Sequence, residues 1–368
     1  MKIAFVVHRY EPDIGGVEAH VAQIASRIAL AGHQVEVLTQ TERSDLVGSE
    51  LRGALHVRRF FIPAATRAAE IAPGLCRFLV RNGARYDVVH AHNYHAPPAL
   101  AAALQSGPLV FTPHYHGTGH TPVRRWLHLP YRLPGAFILA RSRRVICVSQ
   151  AEWDLLVRHF PFVRDRATVI PNGVDVARLR QAVPFPDDGH VVLVSVGRLE
   201  SYKRMDRVLS AMRYLDDRFV FRIIGRGPMT EALERQIVSE GLAGRVQILD
   251  SVDDEALARW LRSAGAFILL SEHESFSITP REALAAGANV VISDIPVHRE
   301  IARAAGADRV ALVPAELVGE RLAEIIRSVA LRPRDLTGYL PPSWDEVASR
   351  TLGVYRDVVG QAKTQLRS

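Results

Sequence analysis

Two cysteines in 368 residues, Cys76 and Cys147, are too few and too far apart for a disulfide framework. They also exclude a cysteine-built metal cluster and point to a reducing compartment, so a cytoplasmic protein is expected. No run approaches about 18 consecutive apolar residues, so no membrane-spanning helix is expected. The start, MKIAFVVHRYEP, offers one lysine and a short apolar run, IAFVV, too short for the apolar core of a signal peptide. A GxGxxG turn with a trailing acidic residue is missing, which argues against a nicotinamide dehydrogenase. The sequence pI of about 9.7 comes without a zinc finger or a basic–aromatic module, so no nucleic-acid partner is expected.

What is present is ordinary for a globular protein: 48% hydrophobic and 23% charged residues. The length exceeds what one core usually serves, so two domains are expected. Short β-branched runs alternate with helical patterns: residues 3–7, 35–39, 87–90, 109–112, 144–149 and 168–170. Each is apolar on both faces, as strands of a parallel sheet under helices should be. After the polar, Pro-rich stretch 183–190 the pattern restarts with VVLVSVG, then 221–225, 246–249, 266–270 and 289–293. The fold class expected is α/β, with two Rossmann-like doubly wound domains facing across a crevice, residues 1–175 and 188–344. The hinge falls at about 171–190. In open sheets of this kind ligands bind beyond the carboxyl ends of the strands.

Charge is uneven. Residues 1–180 carry 22 Arg and Lys against 13 Asp and Glu, and the remainder carries 24 against 26. The basic half fits either an anionic partner or simple solubilisation. Clusters at Arg58-Arg59, Arg124-Arg125 and 141–144, with Trp126, Leu127, Leu129, Tyr131 and Phe137 among them, suit an anionic membrane surface. The same segment also reads as an ordinary helix packed on its own domain.

Four motifs carry chemistry. In ESFSITPRE, Glu274 and Glu282 stand eight apart around a turn, with a helix expected to start near Pro280. Backbone N–H groups of Phe276, Ser277 and Ile278 would then face an anion, while carboxylates suit sugar and ribose hydroxyls. The competing reading is a capped surface helix. In VSVGRLESYKR a strand ends at Gly197, and Arg198 and Lys203 follow as solvent-facing cations suited to a diphosphate, or as a solvated basic loop. In HRYEPDIGGVEAH, Gly15 and Gly16 would let a ligand approach the backbone, or form a plain turn. In TPHYHGTGH, His114, His116 and His120 could group around a metal. No carboxylate stands near them, so hydrogen-bonding histidines are favoured and no metal site is expected.

Taken together, these features make the chain resemble family 4 of the glycosyltransferases, retaining enzymes of the glycosyltransferase-B fold, over essentially its whole length. Pro12, Gly15, Gly16 and Glu18, then IPNGVD (170–175), VGRLESYK, IIGRGP (223–228), ESFSITPREALAAG and the closing SWDEVA carry the resemblance in order. It implies that Glu274 contacts the donor sugar and Glu282 the nucleotide ribose, while Arg198 and Lys203 hold the diphosphate. It places the Gly15-Gly16 loop near the phosphates and the acceptor, and His114 against the sugar. A C-terminal helix at about 345–368 would belong with the first domain. The co-substrate implied is a nucleotide diphosphate sugar, UDP- or GDP-linked, with no cofactor. The acceptor would be a hydroxyl on a glycan, a lipid-linked saccharide or a natural-product core. Ser275 and Ser277 stand where many relatives have Gly, and Arg226 replaces a frequently acidic or amide residue. No DxD triplet occurs, so charge on the leaving group falls to Arg198, Lys203 and the helix N-terminus near Phe276. A sugar-nucleotide epimerase and a catalytically silent binding homologue are the remaining alternatives.

Overall fold

The computed structural model describes every residue except 14, 118–121, 187 and 366–368, and for 122–131 and 363–365 the backbone alone. The chain forms two compact units, Met1–Gly173 with Trp344–Ser368, and Val174–Ser343.

The first unit runs β1 (Lys2–Val6), α1 (Gly16–Leu30), β2 (Gln34–Thr41), β3 (Gly48–Arg52), β4 (Leu55–Phe61), α2 (Pro73–Asn82), β5 (Val88–His92), α3 (Pro97–Ala103), β6 (Leu109–Thr112), α4 (Pro122–Arg141), β7 (Arg144–Cys147), α5 (Gln150–His159) and β8 (Ala167–Val169). Its sheet has the order β3-β4-β2-β1-β5-β6-β7-β8, and only the β3–β4 pair is antiparallel. Strands such as Leu109–Thr112 are buried along their whole length, which is why they read as near-continuous apolar runs.

The β3–β4 hairpin is the part of this sheet that the apolar pattern misses. Leu55, Val57 and Arg59 face inward on β4, and the arginine reads as a surface residue. Arg59 is buried with its guanidinium on Glu50 and on the Glu11 carbonyl, and Arg58 pairs with Glu36 at 2.9 Å. Both charges of the Arg58-Arg59 cluster are therefore paired within the unit, with Arg58 still 39% exposed. The side chains of Arg124, Arg125, Trp126, Leu127, Leu129 and Tyr131 lie outside the described residues.

The second unit runs α6 (Val176–Gln181), β9 (Val191–Val196), α7 (Met205–Met212), β10 (Phe219–Ile224), α8 (Thr230–Ser239), β11 (Val246–Leu249), α9 (Asp254–Ser263), β12 (Ala266–Leu269), α10 (Ile278–Ala285), β13 (Asn289–Ser293), α11 (Pro296–Ala305), β14 (Val310–Val313) and α12 (Gly319–Ala330). All six strands are parallel in the order β11-β10-β9-β12-β13-β14. The order reverses between β9 and β12, and such a switch opens a binding site beyond the strand ends. The unit begins at Val174, earlier than the Pro-rich stretch suggests, because α6 packs on α9 and α10. The last helix, α13 (Trp344–Gln365), packs on α1 of the first unit. Among the described residues no helix is long and apolar enough to cross a membrane.

Candidate functional site

In the second unit, the loops after β9 and β12 are tied together at the switch point. The Tyr202 carbonyl accepts from the Glu272 N–H at 2.9 Å, Arg204 pairs with Glu272 at 3.0 Å, and Lys203 Nζ is ion-paired with Glu274. The Tyr202 ring stacks on His273, with centroids 4.5 Å apart. Backbone closeness explains the glycines here: a side chain at Gly225 would collide with the Gly197 carbonyl, and both residues have positive φ. Arg226 turns outward to Asp250, which draws the Asp250 carboxyl below its usual range.

Arg198 is solvent-facing, paired with Glu200 at 2.8 Å. Lys203 is not, and this corrects the sequence expectation. Its side chain is 12% exposed and that of Glu274 14%. Burial pushes the Glu274 pKa up, but the Lys203 charge and hydrogen bond outweigh it, and the net shift is down. Burial works against the lysine charge in the same way, and Glu274 again overrides it upward. The pair is ionised at neutral pH.

Helix α10 starts at Ile278, two residues before the expected Pro280. Its N-cap, Ser277, has φ +58° and makes no side-chain capping bond, so the first-turn N–H groups stay available to a ligand. The Ser277 hydroxyl goes elsewhere, to His298 Nε2 at 2.9 Å. His298 Nδ1 faces the Ser293 carbonyl at 2.8 Å, so Nδ1 carries the hydrogen and Nε2 accepts from Ser277. The serine thus occupies a glycine-type conformation held by a fully buried imidazole, whose pKa burial lowers to about 4. Phe276 is buried beneath the Arg281 guanidinium, 4.3 Å from its ring centroid. The carboxylate of Glu282, half-buried on α10, has no hydrogen-bond partner among the described residues. Burial raises its pKa to about 7, opposed by Arg178 and reinforced by Asp254.

In the first unit, histidines gather at the carboxyl ends of β5 and β6. His114, directly after β6, has φ +49°, and the next N–H, that of Tyr115, is held by the buried Glu152 carboxylate. The second carboxylate oxygen takes the Val148 N–H at 2.6 Å, so Glu152 fastens the His114 loop to the start of α5. His114 groups not with His116 but with His20 of α1 and His92 of β5; His120 lies outside the described residues. Two imidazoles two apart in an otherwise apolar strand, VVHAH, were the available signal for His92. At the start of α1 a side chain at Gly15 would collide with the Glu18 carboxylate, whereas one at Gly16 would meet open space.

Comparison with known proteins decides the family. Residues 14–178 match the family model described as Glycosyltransferase Family 4, and residues 176–335 match that described as Glycosyl transferases group 1. A phosphatidyl-myo-inositol mannosyltransferase of Mycolicibacterium smegmatis is 32% identical over 94% of this chain and 91% of its own length. The chain belongs to family 4 of the glycosyltransferases. It is also 27% identical to a GDP-mannose:cellobiosyl-diphosphopolyprenol alpha-mannosyltransferase of Xanthomonas campestris, over 99% of both chains. The fold is that of the Anabaena protein HepE, solved with UDP and glucose, at a TM-score of 0.73, 19% identity and full coverage of both chains. Two parallel-sheet Rossmann-like domains with these neighbours make this glycosyltransferase a member of the glycosyltransferase-B fold.

Proposed function

We propose that this glycosyltransferase moves a hexosyl unit from a UDP- or GDP-linked sugar to a hydroxyl acceptor, with retention of anomeric configuration and without a metal. The observation that carries the reading is the convergence, at the β9/β12 switch point, of exposed Arg198, the Lys203–Glu274 pair and the uncapped start of α10. Arg198, Lys203 and the N–H groups at Phe276, Ser277 and Ile278 neutralise the diphosphate as it leaves. Glu274 accepts from sugar hydroxyls and Glu282 from the ribose. The relatives named for GDP-mannose and solved with UDP and glucose support a nucleotide sugar as donor.

His114 is assigned to the donor sugar. Burial holds its pKa well below the usual value, so it acts as a neutral hydrogen-bonding group. Among the described residues of the second unit no carboxylate stands out as a nucleophile: Glu274 is tied to Lys203, and Glu282 belongs to the ribose. The leaving phosphate accordingly takes the proton of the acceptor hydroxyl on the face it departs from.

On the first unit a pocket lined by His8, Arg9, Asp13, Gln40, Thr41 and Arg43 lies at the carboxyl ends of β1 and β2. Its mixed charge suits a polyhydroxyl acceptor. The names of the two relatives favour a lipid-linked one, used by a cytoplasmic protein in peripheral contact with the inner face of a membrane.

The test is turnover of labelled UDP- and GDP-sugars with and without EDTA, and proton NMR of the product linkage. An α-product from an α-donor, formed in EDTA at no lower rate, is expected. A β-product, or activity abolished by EDTA and restored by magnesium or manganese, refutes the reading. Arg198→Ala should lower kcat by roughly 10²-fold with the fold intact.

A further inference from the structure

Four imidazoles crowd the carboxyl end of the first sheet, and they differ in one respect. His90 has both ring nitrogens occupied, by Tyr355 Oη at 2.6 Å and Thr112 Oγ1 at 2.8 Å. His20 and His92 are as deeply buried, 2% and 0% exposed, yet each leaves Nε2 without a partner. A buried ring nitrogen with nothing to bind costs stability, so two of them beside a third imidazole call for an occupant.

We infer that His20, His92 and His114 form a site for a borderline-soft divalent metal, of which zinc is the type. Their ligand atoms lie within 4.8 Å of one another. The ring centroids stand 5.3, 5.2 and 5.7 Å apart for the pairs His20–His92, His20–His114 and His92–His114. Three imidazoles on one zinc ion, with Zn–N of about 2.0–2.1 Å, place their centroids a little over ~5 Å apart. The rings are therefore spaced for a shared ion, and His92 Nδ1 already stands 3.5 Å from His114 Nε2.

Orientation agrees with spacing. His20 Nδ1 donates to the Asn172 carboxamide oxygen at 2.8 Å, which fixes the tautomer and leaves Nε2 a bare lone pair. An oriented histidine of this kind is what a ligated imidazole ordinarily shows. With three nitrogens and no carboxylate, the fourth position is left to a water or to a substrate oxygen. The half-buried His114 gives the ion its entry. Because His114 is assigned above to the donor sugar, a metal held here inhibits transfer; that consequence rests on the proposed function, whereas binding does not.

The experiment titrates chelator-treated full-length protein with zinc chloride by calorimetry, with magnesium chloride as control, and repeats the titration with cobalt for its ligand-field spectrum. One zinc per chain, no magnesium, and a tetrahedral cobalt spectrum without thiolate charge transfer are expected. His114→Ala and Asn172→Ala should each weaken zinc at least ten-fold. Absence of one-to-one zinc binding in the parent chain, or equal binding by His114→Ala, overturns the site and leaves a water-filled polar pocket. Binding that holds while transfer proceeds unimpeded keeps the metal site and sinks the assignment of His114 to the sugar.

Discussion

Replacing Lys203 by alanine removes one member of an ion pair whose two side chains are about one-eighth exposed. The variant strands the Glu274 carboxylate without its counter-charge. Removing one partner of a buried pair costs about 3–5 kcal/mol, and the residual exposure puts this one near the lower limit. A loss of about 3 kcal/mol accelerates amide exchange through global opening of the second unit by roughly 10²-fold. The assay is hydrogen exchange of β12 and β13 at pH 7, which reads the second unit alone. Glu274 gives the effect a pH signature. In the parent its folded pKa is depressed, so the stability it confers is present above the unfolded value and is lost only as pH falls through the depressed one. In the variant the Lys203 charge and hydrogen bond are gone, and burial, the largest influence on the carboxyl, is opposed only by His298 and Ser271. Its pKa therefore rises, the carboxyl takes a proton earlier on acidification and the penalty fades. The gap between the two proteins must therefore narrow as pH falls. Equal protection at pH 7, or a gap that widens in acid, refutes the account. Lys203→Met with Glu274→Gln should recover much of the loss, because no charge is then stranded.

Ser277→Ala loses the bond to His298 and keeps the left-handed strain, costing about 2 kcal/mol. Ser277→Gly loses the same bond and relieves the strain, so chemical unfolding should rank it about 1 kcal/mol above the alanine variant. Glu282 must be ionised to accept from ribose, and its pKa of about 7 makes nucleotide affinity rise by roughly ten-fold between about pH 6 and 8; calorimetry should find Glu282→Gln weaker and flat with pH. Tyr355→Phe leaves His90 Nδ1 without its partner, so exchange protection of α13 should fall by about 1–2 kcal/mol.

The second sheet was legible because its strands are buried on both faces and its loops hold their functional residues close in sequence. Arg198 and Lys203 follow one strand and Glu274 follows its neighbour, so strand ends alone bring them together. What sequence could not show was the cost of that closeness: Lys203 turns from solvent to Glu274. The β3–β4 hairpin escaped because Arg59 faces inward, and an inward arginine is intelligible only once Glu50 is known to lie across the hairpin. His20, His92 and Asn172 escaped for a related reason. Each stands on a different segment, and they meet only when α1, β5 and the chain after β8 converge.

The Val174 N–H donates to the Pro342 carbonyl at 2.9 Å, so the second unit starts and stops at one spot. It is an uninterrupted stretch of chain set into a body that owns both termini. The expected genetic behaviour is that of an insert: Val174–Ser343 should fold when produced alone, and the host should accept a short flexible bridge from Gly173 to Trp344. A truncation at Gly173, in contrast, would strip α13 from the host and expose the α1 face and His90, which that helix covers.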